Sequence, residues 1–260
     1  MAEPAAWPLS PLPAVVDGAV TVRIGPEVSN SRGALFGGWC LGLVTEVAQQ
    51  VTGRRLRDLS LTYLRPAPAG SDLTVRAEVL GPAGSLASVR IEALTGGSPA
   101  LVATAVTGPV AATPEGLVAP SVPPPAECPP RTWLTGPGTG TSVLLDVRLA
   151  AEQLDVRAGG RALLWASLRC PVADEVRLAV VSDHVPYLLR RALPEVAGVA
   201  TVAATLRSAG VPLGEWVLLE VSLVAVDERL GVGRVSMWSD GRLVGTAEQT
   251  ARLFARRAAP

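Results

Sequence analysis

The chain has 260 residues, 48% of them apolar and 18% charged, a balance that supports a buried core and excludes intrinsic disorder as the overall state. Its 23 basic and 23 acidic residues cancel, so no field draws it to phosphate backbones and no nucleic-acid partner is expected. Every basic residue is Arg, which removes Schiff-base chemistry, and one histidine (His184) with three widely spaced cysteines excludes a multi-histidine metal centre, a zinc ribbon and a disulfide framework.

The first thirteen residues are rich in Pro and Ala and carry no positive n-region, unlike a signal peptide. The most apolar run, Gly33 to Val44, is a dozen residues long and too short to span a bilayer. A cytoplasmic protein without membrane association is expected. Helical periodicity follows over Gly37 to Val51, with an apolar face of Cys40, Leu43, Val44, Val47 and Val51. A second stripe of Gly38, Gly42, Thr45 and Gln49 allows close backbone approach, and packing alone is a sufficient use for it. Strands are expected at Leu56 to Arg65, Asp72 to Leu80, Leu86 to Leu94 and Ala100 to Val106, separated by Pro- and Gly-bearing turns.

Between Ala111 and Gly140 lie eight prolines, which block helix and central strand alike. This divides the chain into 13–111, a linker 112–140, and 141–260. In the second part a helix is expected over Val176 to Leu193, then strands at Ala200 to Arg207, Trp216 to Val226, Val232 to Trp238 and Arg242 to Phe254. The Asp240-Gly241 pair marks a tight hairpin before the last strand. Both parts thus read as helix, strand, turn and a three-stranded meander. Tyr63-Leu64-Arg65 aligns with Thr205-Leu206-Arg207, and Leu101 to Thr104 with Leu243 to Thr246. A long helix wrapped by an antiparallel sheet, present twice, is an α+β double hot-dog, a covalent pseudo-dimer. Leftover sheet edges make a homo-oligomer an added expectation.

Leu35-Phe36-Gly37-Gly38-Trp39 and Leu61-Thr62-Tyr63-Leu64-Arg65-Pro66, followed by Val181-Ser182-Asp183-His184, Gly214 to Leu218 and Asp240 to Gln249, resemble the acyl-CoA thioesterase II-like double hot-dog family over nearly the whole chain except the linker. The resemblance implies hydrolysis of an acyl thioester, on CoA or on acyl-carrier protein, to acid and thiol, with no cofactor. It also implies a catalytic Asp, Thr or Ser, and Gln around an activated water. Asp183 and Gln249 match the first and last. Thr201 matches the second if one residue is skipped before Trp216; otherwise Ala200 falls there. The family's Asp-His pair after that position is replaced by Val202-Ala203-Ala204.

Each residue also has a plainer use. Asp183 precedes Pro186 by three, where a helix must become irregular; a carboxylate there can face a cavity, or simply cap a second short helix. Gln249 lies in a polar run of an apolar strand and can accept from water while donating to a carbonyl, or face solvent. Thr201 is also an ordinary strand former. Gly37, Gly38 and Trp39 are the candidate substrate-binding residues, because free N–H groups at a helix start hold a thioester carbonyl or a phosphate. Trp39 also suits a core. Glu46 is a rival base and His184 a rival acid–base partner. The leading reading is a thioester hydrolase. The alternatives are a dehydratase or hydratase acting on thioesters, and an acyl-thioester-binding protein.

Overall fold

The computed structural model describes residues 7–81, 84–111, 116–132 and 138–255. The elements run β1 (Ala19–Arg23), α1 (Gly37–Thr52), β2 (Arg55–Tyr63), β3 (Asp72–Val79), β4 (Ala87–Thr95), β5 (Ser98–Gly108), β6 (Leu145–Gln153), β7 (Arg161–Leu168), α2 (Asp174–Val181), α3 (Val185–Ala192), β8 (Val196–Ser208), β9 (Val217–Val226), β10 (Leu230–Ser239) and β11 (Arg242–Ala255). The strands form one sheet in the order β1-β3-β4-β5-β2-β8-β11-β10-β9-β7-β6. Read outwards from its middle, β2-β5-β4-β3-β1 is repeated as β8-β11-β10-β9-β7, with β6 added at the far edge. The halves join through the antiparallel pair β2–β8, from Asp58 opposite Arg207 to Thr62 opposite Ala203.

Alternation places one face of this sheet against the helices. On β4, Ala87, Val89, Ile91 and Ala93 are buried while Ser88 and Arg90 face out. The turns carry the residues their geometry demands: Asp240 and Gly241 take φ of 48° and 75°, the two positive angles that a tight hairpin between β10 and β11 requires. Helix α1 is buried from Gly38 to Val44 without a break and ends at Gly53, which is left-handed. Its glycine stripe is where α2 crosses. A Cβ at Gly42 would come 2.8 Å from Val180, and one at Gly38 would collide with the Val180 carbonyl.

Three features depart from the sequence expectation. The single helix over Val176 to Leu193 is two helices, because Pro186 has no N–H to continue the ladder. Strands β1, β6 and β7 were not legible. On β7, Ala162, Leu163 and Leu164 are buried in succession, which erases a period of two. Leu163 is buried from the outside, with Leu218 and Trp238, under Ala119 and Val122 of the prolyl segment. That segment also pairs with β6, through Arg131 N–H to Val147 and Leu149 N–H to Pro129. Finally, the aligned short segments are not equivalent in register: Tyr63 faces Leu101, whereas Thr205 faces Glu248.

Candidate active site

The break between α2 and α3 builds the site. Ser182 Oγ donates to Ala179 O at 2.8 Å, and His184 Nδ1 lies 2.8 Å from Val181 O, so both side chains occupy carbonyls at the end of α2. Asp183, between them, turns inward and is 5% exposed. Pro186 leaves Val185 as the nearby donor at the start of α3, and its N–H goes to Gln249 Oε1 at 3.0 Å. The other end of the same amide, Gln249 Nε2, donates to Asp183 Oδ1 at 2.5 Å. Gln249 is thereby fixed in one orientation, its oxygen on the backbone and its nitrogen on the carboxylate.

Thr201 Oγ1 donates to the same Asp183 oxygen at 3.4 Å. Thr201 stands opposite Ala251 and Ala203 opposite Thr250, so β8 has one residue more than β11, at Val202. This bulge is the physical counterpart of the one-residue ambiguity in the sequence. An extra residue restores the inward direction of Thr201 that a regular strand would have given to a neighbour.

Across the cleft is the start of α1. A Cβ on Gly37 would lie 2.5 Å from Asp183 Oδ2 and 3.2 Å from Tyr63 Oη. Tyr63 itself donates to Gly37 O at 2.8 Å and so anchors the first turn. Phe36 at the N-cap supplies no side-chain acceptor, and the Gly38 N–H donates to the carboxylate of Asp183. Trp39 is fully buried and donates from Nε1 to Thr141 Oγ1 at 2.9 Å, so it wedges the helix start against the 140–143 turn.

Burial raises the Asp183 pKa above the ordinary carboxylate range, while Gln249, the Gly38 N–H, Thr201 and Arg131 pull it the other way. His184, also buried, is pushed down to about 3 and is neutral. With Nδ1 held by Val181, it is oriented by the backbone and not by Asp183. Burial lowers Arg131 to about 10, and its guanidinium lies over the Tyr187 ring at 4.8 Å. Tyr63 and Arg131 were missed from sequence. Tyr63 stands in a strand and in a resembling motif that assign it no role, and Arg131 follows a Pro-Pro pair in the expected linker. Glu46 is elsewhere: it accepts from Trp7 Nε1 at 2.6 Å. Among the described residues no cluster of His, Cys, Asp and Glu could hold a metal, and no helix is long and apolar enough to cross a membrane.

A buried carboxylate held by an amide and a hydroxyl, opposite an uncapped helix start, suits attack of water on a polarised carbonyl. Family comparison agrees in kind: the acyl-CoA thioesterase N-terminal domain matches residues 26–108 and the acyl-CoA thioesterase C-terminal domain residues 123–253. The chain belongs to the acyl-CoA thioesterase family. No curated protein matches it in sequence. Among solved structures, this thioesterase is similar to a Novosphingobium aromaticivorans protein assigned as a thioesterase, with 27% identity over 96% of this chain and 100% of the other and a TM-score of 0.83. A thioesterase II assignment from Thermobifida fusca gives 18% identity over 95% and 96% at a TM-score of 0.81. A hot-dog protein from Alicyclobacillus acidocaldarius gives 20% over 93% and 96% at 0.79. The last likeness gives the hot-dog fold, and the repeated strand order makes this thioesterase a double hot-dog.

Proposed function

We propose that this thioester hydrolase acts on acyl-CoA through a water activated by Asp183. The observation that carries the reading is the convergence of Gln249, Thr201 and the first turn of α1 on one buried carboxylate. Asp183 takes a proton from water as the oxygen attacks the thioester carbon. Gln249 and Thr201 fix the carboxylate and the water. The Gly37 N–H at the uncapped start of α1 receives the negative charge that develops on the carbonyl oxygen, while the Gly38 N–H stays on Asp183. The tetrahedral adduct then expels the thiolate, which recovers the proton from Asp183. Trp39 supports this turn from behind. His184 Nδ1 is committed to the Val181 carbonyl, so a dehydratase role would fall to its buried Nε2.

Thiol release from acyl-CoAs of short, medium and long chain tests the reading. Asp183→Asn should lower kcat by about 10²–10⁴-fold, the range of general-base catalysis. Glu46→Gln should leave turnover within about twofold of wild type. Loss of turnover in the Glu46 variant alone would move the base to α1. Wild type that binds acyl-CoA without releasing thiol would favour the acyl-binding role.

A further inference from the structure

Strand β2 leaves β8 after the Thr62–Ala203 pair, so β8 from residue 202 back to 196 has an edge that no strand among the described residues covers. The catalytic Thr201 lies on that open stretch. Arg32 and Arg252 lie beside it, and a third arginine is near in the chain. Arg65 follows β2 just beyond the last pair. Arg252 stands on β11 opposite Ala200, three residues and about 10 Å along the strand from Gln249. Arg32 comes from the 30–35 loop, which is tied to the segment after Arg65 by Leu35 N–H to Ala67 O and Ala69 N–H to Gly33 O.

Two of these cations share a platform. The Arg32 guanidinium lies 5.0 Å from the Phe254 ring centroid and that of Arg252 lies 5.3 Å from it. Gly198 permits this, because a Cβ there would collide with the Arg32 guanidinium. Elsewhere Arg23, Arg90, Arg161 and Arg234 each meet a carboxylate, whereas the exposed Arg76, Arg157, Arg229 and Arg242 form no ion pair among the described residues. Among the described residues Arg32, Arg65 and Arg252 form no ion pair with one, although all three are exposed. Two like charges held against one ring with no carboxylate between them cost repulsion that a bound anion would relieve.

We propose that Arg32, Arg65 and Arg252 form the docking site for the phosphate groups of the CoA half of the substrate. The pantetheine arm then passes through the gap between β2 and β8 to the carboxylate of Asp183. This rests on the thioesterase reading and adds to it a preference for the nucleotide-bearing thiol. The gap supplies the path, the carboxylate-free cations supply the affinity, and Phe254 holds two of them in place.

The test compares an acyl-CoA with the same acyl group on pantetheine, which lacks every phosphate. Arg32→Ala and Arg252→Ala should each raise KM for acyl-CoA about fivefold to tenfold, with kcat unchanged and the acyl-pantetheine parameters unchanged. Together they should flatten the salt dependence of kcat/KM for acyl-CoA, while Arg76→Ala, an exposed arginine on β3, should not. Unchanged KM for acyl-CoA in the double variant overturns the proposal, as does an equal loss with both substrates. A loss confined to an acyl-carrier-protein thioester also overturns it, in favour of a protein partner on this face. If wild type releases no thiol from any substrate, calorimetry with free CoA still decides. Binding that the double variant loses supports the site, and equal binding by both proteins overturns it.

Discussion

Asp183 and His184 are neighbours in sequence with opposite responses to burial. The carboxyl is raised and the imidazole lowered, because each is held toward its neutral form. For catalysis the proton on Asp183 must be absent. The acid limb of kcat/KM against pH should therefore fall above the ordinary carboxylate value of about 3.9. Asp183→Asn should remove that limb, and a limb at the ordinary value would contradict the assignment. In stability the same shift has a cost. Between the ordinary range and its own pKa, Asp183 binds more protons folded than unfolded, so this residue lowers stability as pH climbs through that window. His184 acts in the other sense. The unfolded chain takes up a proton below about 6.5 that the native imidazole refuses until about 3, so stability is lost on acidification through that interval. At pH 5 this amounts to about 2 kcal/mol. His184→Gln, which can still donate to Val181 O, should recover that amount relative to wild type at pH 5 in urea titrations. It should show no comparable gain at pH 7.5.

The elements around the site are held by close approaches that leave no room for side chains. Gly38→Ala would drive a methyl into the Val180 carbonyl, which is backbone and cannot rotate away. Despite the better helix propensity of Ala, this variant should lose about 1–3 kcal/mol in denaturant unfolding. Its activity should fall with it, because the first turn of α1 shifts against Asp183. An unchanged midpoint would show that α1 and α2 are not packed this tightly. The helices also show what the sequence could express about its own site. Pro186 announced an irregularity near Asp183, and the polar residues at Thr246 to Thr250 announced that β11 did something unusual. The pairing of Gln249 with Val185 was not legible, because it depends on which backbone donor the break leaves free.

At the scale of the molecule, the β2–β8 ladder joins two hot-dog halves in one sheet, and buried residues of both halves form one continuous core. Unfolding should therefore be a single cooperative transition. Tryptophan fluorescence, with Trp39 in the first half and Trp165 and Trp238 in the second, should give the same midpoint as far-UV circular dichroism. Two separated midpoints would show that the halves fold apart. The repeat also explains why one site is assembled among the described residues. Glu46 lies as far from Gly37 as Asp183 does from Asp174, so it is the counterpart carboxylate of the first half. There, Trp7 Nε1 bonds it, and β5 presents Ala103 and Ala105 to the interior where β11 presents Gln249.

The sequence by itself determined the double architecture, since helical and strand periods recur on both sides of a proline-rich segment and periodicity is a local property. The family resemblance of its motifs marked Asp183 and Gln249 as candidates, and each also breaks a local pattern. Tertiary structure decided what local pattern cannot carry. It placed Thr201 on Asp183 through a bulge in pairing with β11. It brought Tyr63 and Arg131 to the same interior from segments far apart in the chain. It also set Arg32 and Arg252 beside one strand edge that no strand among the described residues covers. Register and long-range packing set these contacts, and a one-residue change in pairing turns a side chain to the opposite face without altering the composition or periodicity that a sequence displays.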